Sequence, residues 1–197
     1  MILARTPDHS RMENAKSAPA IWTFITADVM AFGMFFVLFM RQRTVDPALF
    51  NSASMKLDVR LGVINTLILI TSSWLVVLGV ERARRRDRAG LLRFWAIAMA
   101  VGAGFAVTKC IEYADKFSHG VTMLTNDFFM FYFFLTGIHF LHFLVGMAAL
   151  GFLWFKARVE PLDGPYLGWL ESGGIYWHMV DLLWVMLFPL LYLMGRA

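Results

Sequence analysis

The sequence contains little charge and almost no cysteine. Charged residues make up 16% of its 197 residues, against about a quarter in soluble domains, while 59% are hydrophobic. A single cysteine, Cys110, excludes an internal disulfide framework and a cysteine-based metal site. Residues 1–18 lack the apolar core of a signal peptide, and no internal repeat or low-complexity segment follows them. These absences predict one helical domain of an integral membrane protein.

Five apolar runs are long enough to cross a bilayer, since about 20 helical residues span its hydrocarbon core. We predict an all-α integral membrane bundle of five transmembrane helices, with the first run retained as an anchor. Residues 1–18 would form a tail and residues 19–197 a single domain. Pro189 should kink the last helix without ending it, because apolar residues continue beyond it. The predicted spans are residues 21–40, 61–80, 92–111, 128–155 and 174–194.

Lysine and arginine are more frequent on one side of the predicted bundle. The cluster ERARRRDR at residues 81–88 lies between the second and third spans, where it is an orientation signal and not a nucleic-acid site. The positive-inside rule therefore predicts a cytoplasmic N-terminus and a periplasmic C-terminus. Trp22, Trp95 and Trp177 lie near predicted cytoplasmic helix ends, where we expect them to face lipid in an aromatic belt.

Ionisable residues within the spans are the candidate functional groups, because charge is costly inside a membrane. Lys109 and Glu112 lie three residues apart at the outer end of the third span, which predicts an interfacial ion pair with a snorkelling lysine. Asp28 has no basic residue within a turn, so it must pair with another helix, contact water or be protonated. The other candidates are His139 and His142 in the fourth span and His178 and Asp181 in the fifth.

Each of these histidines and aspartates has several possible hydrogen-bond partners. His178 and Asp181 lie on one helix face and would pair with each other or reach Asp28 or His142. We favour inter-helix hydrogen bonds, with Asp28 and His178 in contact at matching depth, over proton transfer through Asp28. A metal site on the HxxH and HxxD motifs is the alternative. Since the chain has only five histidines and no Glu-x-x-His pair in its spans, we predict no metal ligands.

Motifs in all five spans resemble subunit III of the haem-copper respiratory oxidases and occur in that family's order. INTLILITSSW, TGIHFLHFLVG and YWHMVDLLWVMLF in the second, fourth and fifth spans are the most specific, beside FITADVMAFGMFF and KCIEY in the first and third. The resemblance covers about residues 22–195. Two features differ: Asp28 stands where the mitochondrial type has glutamate, and the chain has five spans, as in shorter bacterial forms, instead of seven.

This resemblance implies a non-redox accessory subunit of a respiratory complex in the bacterial inner membrane. Haem and copper would lie in partner subunits. The chain would dock on subunit I, hold phospholipid in a cleft between its first two and remaining three helices, and support proton uptake and sustained turnover. The chain is also similar to the subunit-III-like accessory protein of nitric oxide reductase, whose partners would hold haem and non-haem iron. A further alternative, from the residues alone, is a small proton or ion transporter with Asp28, His142 and Asp181 as a relay.

Overall fold

The computed structural model describes residues 9–195, with side chains from residue 21 onward. Residues 1–8 of the predicted tail and residues 196–197 lie outside this range, and the first helix already begins at His9. Within the described range the chain is helical, without strands. Its elements are α1 (His9–Val45), α2 (Pro47–Ser54), α3 (Val59–Arg84), α4 (Arg88–Ser118), α5 (Asp127–Lys156), α6 (Gly164–Phe188) and a π-helical turn (Pro189–Leu193).

Five of these helices are long and apolar enough to cross a membrane, which confirms the predicted all-α fold with five transmembrane helices. The fifth begins at Gly164, earlier than the predicted residue 174, because Pro165 suits a first helical turn. Pro189 does not end this helix. The backbone continues as a π-helical turn, which accommodates the missing proline N–H.

Short polar side chains determine where four of the helices begin. Asp46, Asp58, Asp87 and Asn126 precede α2, α3, α4 and α5, and each accepts a hydrogen bond from a backbone N–H of the first turn. These bonds satisfy donors that a helix start leaves unpaired. The turn from α3 to α4 passes through Arg86 in the left-handed region, with φ of 59°.

Helices α3, α4, α5 and α6 form the core of the bundle. Helix α3 packs most closely on α4 and then on α6, α5 packs on α6, and α1 contacts mainly α6. The implied cleft between the first two spans and the other three is therefore wrong for the described helices. The second span packs inside the bundle because its small residues allow close approach, as where Ser72 Oγ donates to the Ala98 carbonyl at 2.8 Å.

Hydrogen bonds between loops define two ends of the bundle. At one end, where α3 ends and α6 begins, the Arg88 guanidinium donates to the carbonyls of Arg158 and Glu160. We call it the basic end, because the arginine cluster between α3 and α4 lies there. At the opposite end, the Arg43 guanidinium donates to the Met194 carbonyl at 2.7 Å.

Two of the three tryptophans that were predicted to face lipid are core residues instead. Trp95 and Trp177 are 0% and 1% exposed, so the prediction is wrong for them. Each indole N–H finds an acceptor on α3: Trp95 Nε1 donates to the Val76 carbonyl and Trp177 Nε1 to Ser72 Oγ. A satisfied indole N–H removes the reason for a tryptophan to stay near water. Trp22 is 57% exposed, and its contact with lipid stays a prediction.

Candidate functional site

The intramembrane aspartate of α1 faces a histidine of α5. Asp28 Oδ2 lies 3.2 Å from His142 Nε2, and both side chains are less than one-fifth exposed, at 19% and 18%. His142 Nδ1 lies 2.9 Å from the Ile138 carbonyl, which only accepts, so Nδ1 carries a proton. Nε2 can therefore donate to the carboxylate only when the ring is fully protonated. The geometry gives Asp28 an inter-helix partner, but that partner is His142.

Mutating this pair should reveal a coupling between α1 and α5. We expect Asp28→Asn and His142→Gln to have non-additive effects, with a coupling of about 0.6–1.7 kcal/mol, as for other polar contacts between membrane helices. The free energies of unfolding of the wild type, both single variants and the double variant in mixed micelles give this coupling. A parallel cycle between Asp28 and His178 is the control and should be additive. Additivity in the first cycle would contradict the contact.

His178 does not reach Asp28, contrary to the contact that we favoured from depth. Its Nδ1 lies 2.6 Å from Ser73 Oγ of α3 and 3.3 Å from Asp181 Oδ2. The predicted contact is wrong because equal depth does not ensure a shared face. Tyr176, two residues earlier, packs on a phenylalanine of α1, and residues two apart point to different sides of a helix. His178 therefore faces α3, away from α1.

His139 is a buried packing residue between α5 and α6. Its Nε2 lies 2.9 Å from the Val180 carbonyl, and its ring packs against those of Phe105 and Trp184. His139 and His142 thus have separate partners, and the two histidine motifs do not converge on one centre. No group of three or more histidine, cysteine, aspartate or glutamate side chains that could hold a metal occurs within the described range.

Lys109 and Glu112 form the centre of a buried polar cluster near the opposite end of the bundle. Lys109 Nζ lies 2.9 Å from Glu112 Oε2 and 3.0 Å from the Tyr192 hydroxyl, which donates to Glu112 Oε1 at 2.6 Å. Only 1% of Lys109 and 3% of Glu112 are exposed. The predicted ion pair is present, but the predicted snorkelling of the lysine is wrong, since its side chain is buried between the helices.

Aromatic rings surround the Lys109 ammonium and explain its inward direction. Nζ lies 4.9 Å from the ring centroid of Trp184 and 5.1–5.6 Å from those of Tyr113, Tyr132 and Tyr192. Cation–π attraction to these rings offsets part of the cost of removing the charge from water. Sequence reasoning missed Tyr132 and Tyr192, because they come from other segments than Lys109 and only the fold brings them to it. The π-helical turn after Pro189 carries Tyr192 to Glu112.

A cavity of about 440 Å³ lies between α5 and α6, beside the start of the membrane-spanning part of α1. Its walls are apolar and include Val145, Ala149 and Phe152 of α5. Lys156, the last residue of α5, supplies an ammonium group at the basic end. The cavity thus combines a long apolar wall with one positive charge. The sequence contained no signal for it, because its lining comes from three helices that are distant along the chain.

The fold and these contacts define a multi-pass helical membrane protein with polar contacts between its helices, among them Asp28 with His142 and Ser73 with His178. The family model for cytochrome c oxidase subunit III matches residues 9–196, and the chain belongs to that family. The family that the motifs indicated is thereby confirmed.

Relatives from three bacteria extend over most of the chain. The cytochrome c oxidase subunit 3 of Thermostichus vulcanus is 28% identical over 190 residues, which cover 96% of this chain and 92% of the relative. That of a Synechocystis species is 31% identical over 172 residues, with coverages of 87% and 72%. The quinol oxidase subunit 3 of Bacillus subtilis is 26% identical over 176 residues, with coverages of 88% and 85%.

Proposed function

We propose that this chain is the non-redox accessory subunit III of a haem-copper respiratory oxidase in a bacterial inner membrane. The family match over residues 9–196 carries the proposal. Relatives are named as subunits of cytochrome c and quinol oxidases, which implies partner subunits. The chain would dock on subunit I, where haem and copper would lie, and catalyse nothing alone. The relatives' names favour this role over the nitric oxide reductase partner and the independent transporter.

The same proposal orients the chain in the membrane. The basic end would face the cytoplasm, because lysine and arginine concentrate in cytoplasmic loops. Asp28 and His142 would then lie within the membrane between α1 and α5, where they hold α1 on the bundle. An intramembrane carboxylate with a titratable partner also fits the expected support of proton uptake and sustained turnover.

The cavity between α5 and α6 is the proposed phospholipid site. Its apolar wall suits an acyl chain, and Lys156 at the basic end suits an anionic headgroup phosphate. This location replaces the implied cleft between the first two and remaining three helices, because α1 packs on α6 in the structure. Bound lipid would fill a gap that the described side chains leave open.

Native mass spectrometry of the complex tests the proposed function. The tagged chain, extracted in a mild detergent from cells that express its partners, should be recovered with a subunit that contains haem and copper. The spectrum should also contain at least one retained phospholipid. Recovery of a partner with haem and non-haem iron would assign the reductase role instead. Recovery of the chain alone, together with ion transport in liposomes, would contradict both accessory roles.

Tryptophan substitutions at two neighbouring alanines of α5 locate the lipid in the same experiment. Ala149 lines the cavity, whereas its neighbour Ala148 is exposed on the bundle surface. We expect Ala149→Trp to fill the cavity and remove one bound phospholipid from the spectrum, and Ala148→Trp to leave the lipid count unchanged. Equal lipid counts in both variants would contradict the proposed lipid site while leaving the subunit assignment intact.

A further inference from the structure

His178 is an exposed ionisable residue within a transmembrane span. Half of its side chain, 51%, is exposed on the surface where α3 and α6 meet. The helix from Gly164 to Leu193 has 30 residues, about 45 Å of length, and so extends beyond a hydrocarbon core about 30 Å thick. His178 lies seven residues after Glu171, about 10 Å further along the helix than the partly exposed ion pair of Glu171 with Arg84. A half-exposed histidine inside the span is costly against hydrocarbon, and a polar partner would remove that cost.

One nitrogen of His178 is already used within the chain, and the other is free to bind outward. Nδ1 approaches both Ser73 Oγ and Asp181 Oδ2. Nε2 makes no hydrogen bond to any residue of the described part of the chain. It donates or accepts according to the tautomer. A hydroxyl or a carboxamide can satisfy either state.

A groove connects His178 with the basic end of the bundle. Its volume is about 400 Å³, and it runs between α3 and α6 past Val77 and Ile175. At the basic end it is bounded by an ion pair, in which Arg84 Nε donates to Glu171 Oε1 at 2.9 Å. Beyond His178, large apolar side chains are exposed on both helices: Trp74 is 61% and Leu182 54% exposed. These flanks suit an apolar helix better than a column of water.

We propose that a transmembrane helix of the partner oxidase subunit packs along this α3–α6 groove and places a hydroxyl or carboxamide side chain against His178 Nε2. The inference rests on the proposed function and names the face by which the chain docks. A partner helix satisfies the observations together: it reaches into the membrane as far as His178, covers Trp74 and Leu182, and supplies the missing hydrogen bond. The opposite side of α6 is already occupied by α1.

Photo-crosslinking in the intact complex tests the docking face. A benzophenone amino acid replaces Leu182, which is exposed on α6 beyond the groove, or, as the control, Leu141 on α5, which is 60% exposed. We expect the probe at 182 to crosslink a membrane segment of the partner that contains a polar residue, and the probe at 141 to capture lipid. Capture of lipid alone from position 182, or of the partner from position 141 alone, would overturn the inference while the proposed function stands. A complex without this chain would contradict the proposed function itself.

Two substitutions separate the outward hydrogen bond from the internal one. His178→Leu removes both, whereas Ser73→Ala removes only a contact of Nδ1. After a stringent detergent wash of the complex, we expect His178→Leu to reduce retention of the chain about three- to tenfold, as the loss of one intramembrane hydrogen bond implies. Ser73→Ala should stay close to wild type. Full retention of His178→Leu would indicate a water-filled groove and overturn the proposal.

Discussion

Replacement of Glu112 by leucine is expected to lower the free energy of unfolding by about 3–5 kcal/mol, because the Lys109 ammonium then stays buried without its counter-ion. Lys109 is 1% exposed, and its ammonium lies 2.9 Å from the carboxylate that this substitution removes. The variant also removes the acceptor of the Tyr192 hydroxyl. Unfolding of the purified chain in mixed micelles, followed by tryptophan fluorescence, measures the loss.

A double variant shows whether charge or packing causes this loss. In Lys109→Met/Glu112→Leu neither buried charge remains, and the double variant should be more stable than Glu112→Leu alone, since apolar side chains can replace a buried pair at little cost. Arg85→Met is the control for loss of an exposed ion pair. The side chains of Arg85 and its partner Glu81 are 68% and 50% exposed, so this substitution should lower the free energy of unfolding by about 1 kcal/mol or less. If Glu112→Leu lowers the free energy of unfolding by no more than the control does, the buried ion pair does not stabilise this end of the bundle.

The spacing of Lys109 and Glu112 was sufficient to predict their pairing but not their burial. Residues three apart on a helix meet whatever surrounds them. Whether the lysine extends to the interface or turns inward depends on rings that three other segments supply, among them Tyr132 and Tyr192. Local spacing contains no information about those rings. The apolar runs, in contrast, determine helix number directly, because bilayer thickness sets their length.

The partner of Asp28 illustrates a second limit of sequence reasoning. Depth along a helix follows from residue number and rise, and it placed Asp28 and His178 at similar levels. Rotation about the helix axis follows from the packing of all the helices, and it directs His178 towards Ser73 and His142 towards Asp28. For the same reason Trp95 could not be assigned to the core from its position near a helix end. The position of a residue along the chain predicts its depth in the membrane, but the packing of the helices determines which neighbour its side chain faces.

Trp177→Ala is expected to lower the free energy of unfolding by about 3–5 kcal/mol, mainly through the cavity that it leaves. The indole is 1% exposed and packs on the Phe143 ring, with centroids 5.5 Å apart. Gly102 and Gly146 make room for it, since a Cβ at either would lie 3.2 Å or less from the indole. Because glycine has no side chain, neither position can fill the space that the indole leaves. Unfolding in mixed micelles measures the effect.

Two further tryptophan variants separate the cavity from the lost hydrogen bond. Trp177→Phe keeps most of the ring volume but loses the N–H that donates to Ser72 Oγ. Ser72 Oγ still donates to the Ala98 carbonyl, so no buried group loses its only partner, and the phenylalanine variant should be clearly more stable than the alanine variant. Trp169→Ala on the same helix is the control: its side chain is 61% exposed, and the change should stay within about 0.5 kcal/mol. Equal losses at positions 177 and 169 would mean that Trp177 faces lipid, as the predicted start of the fifth span at residue 174 suggested, and that α6 is rotated from the structure described.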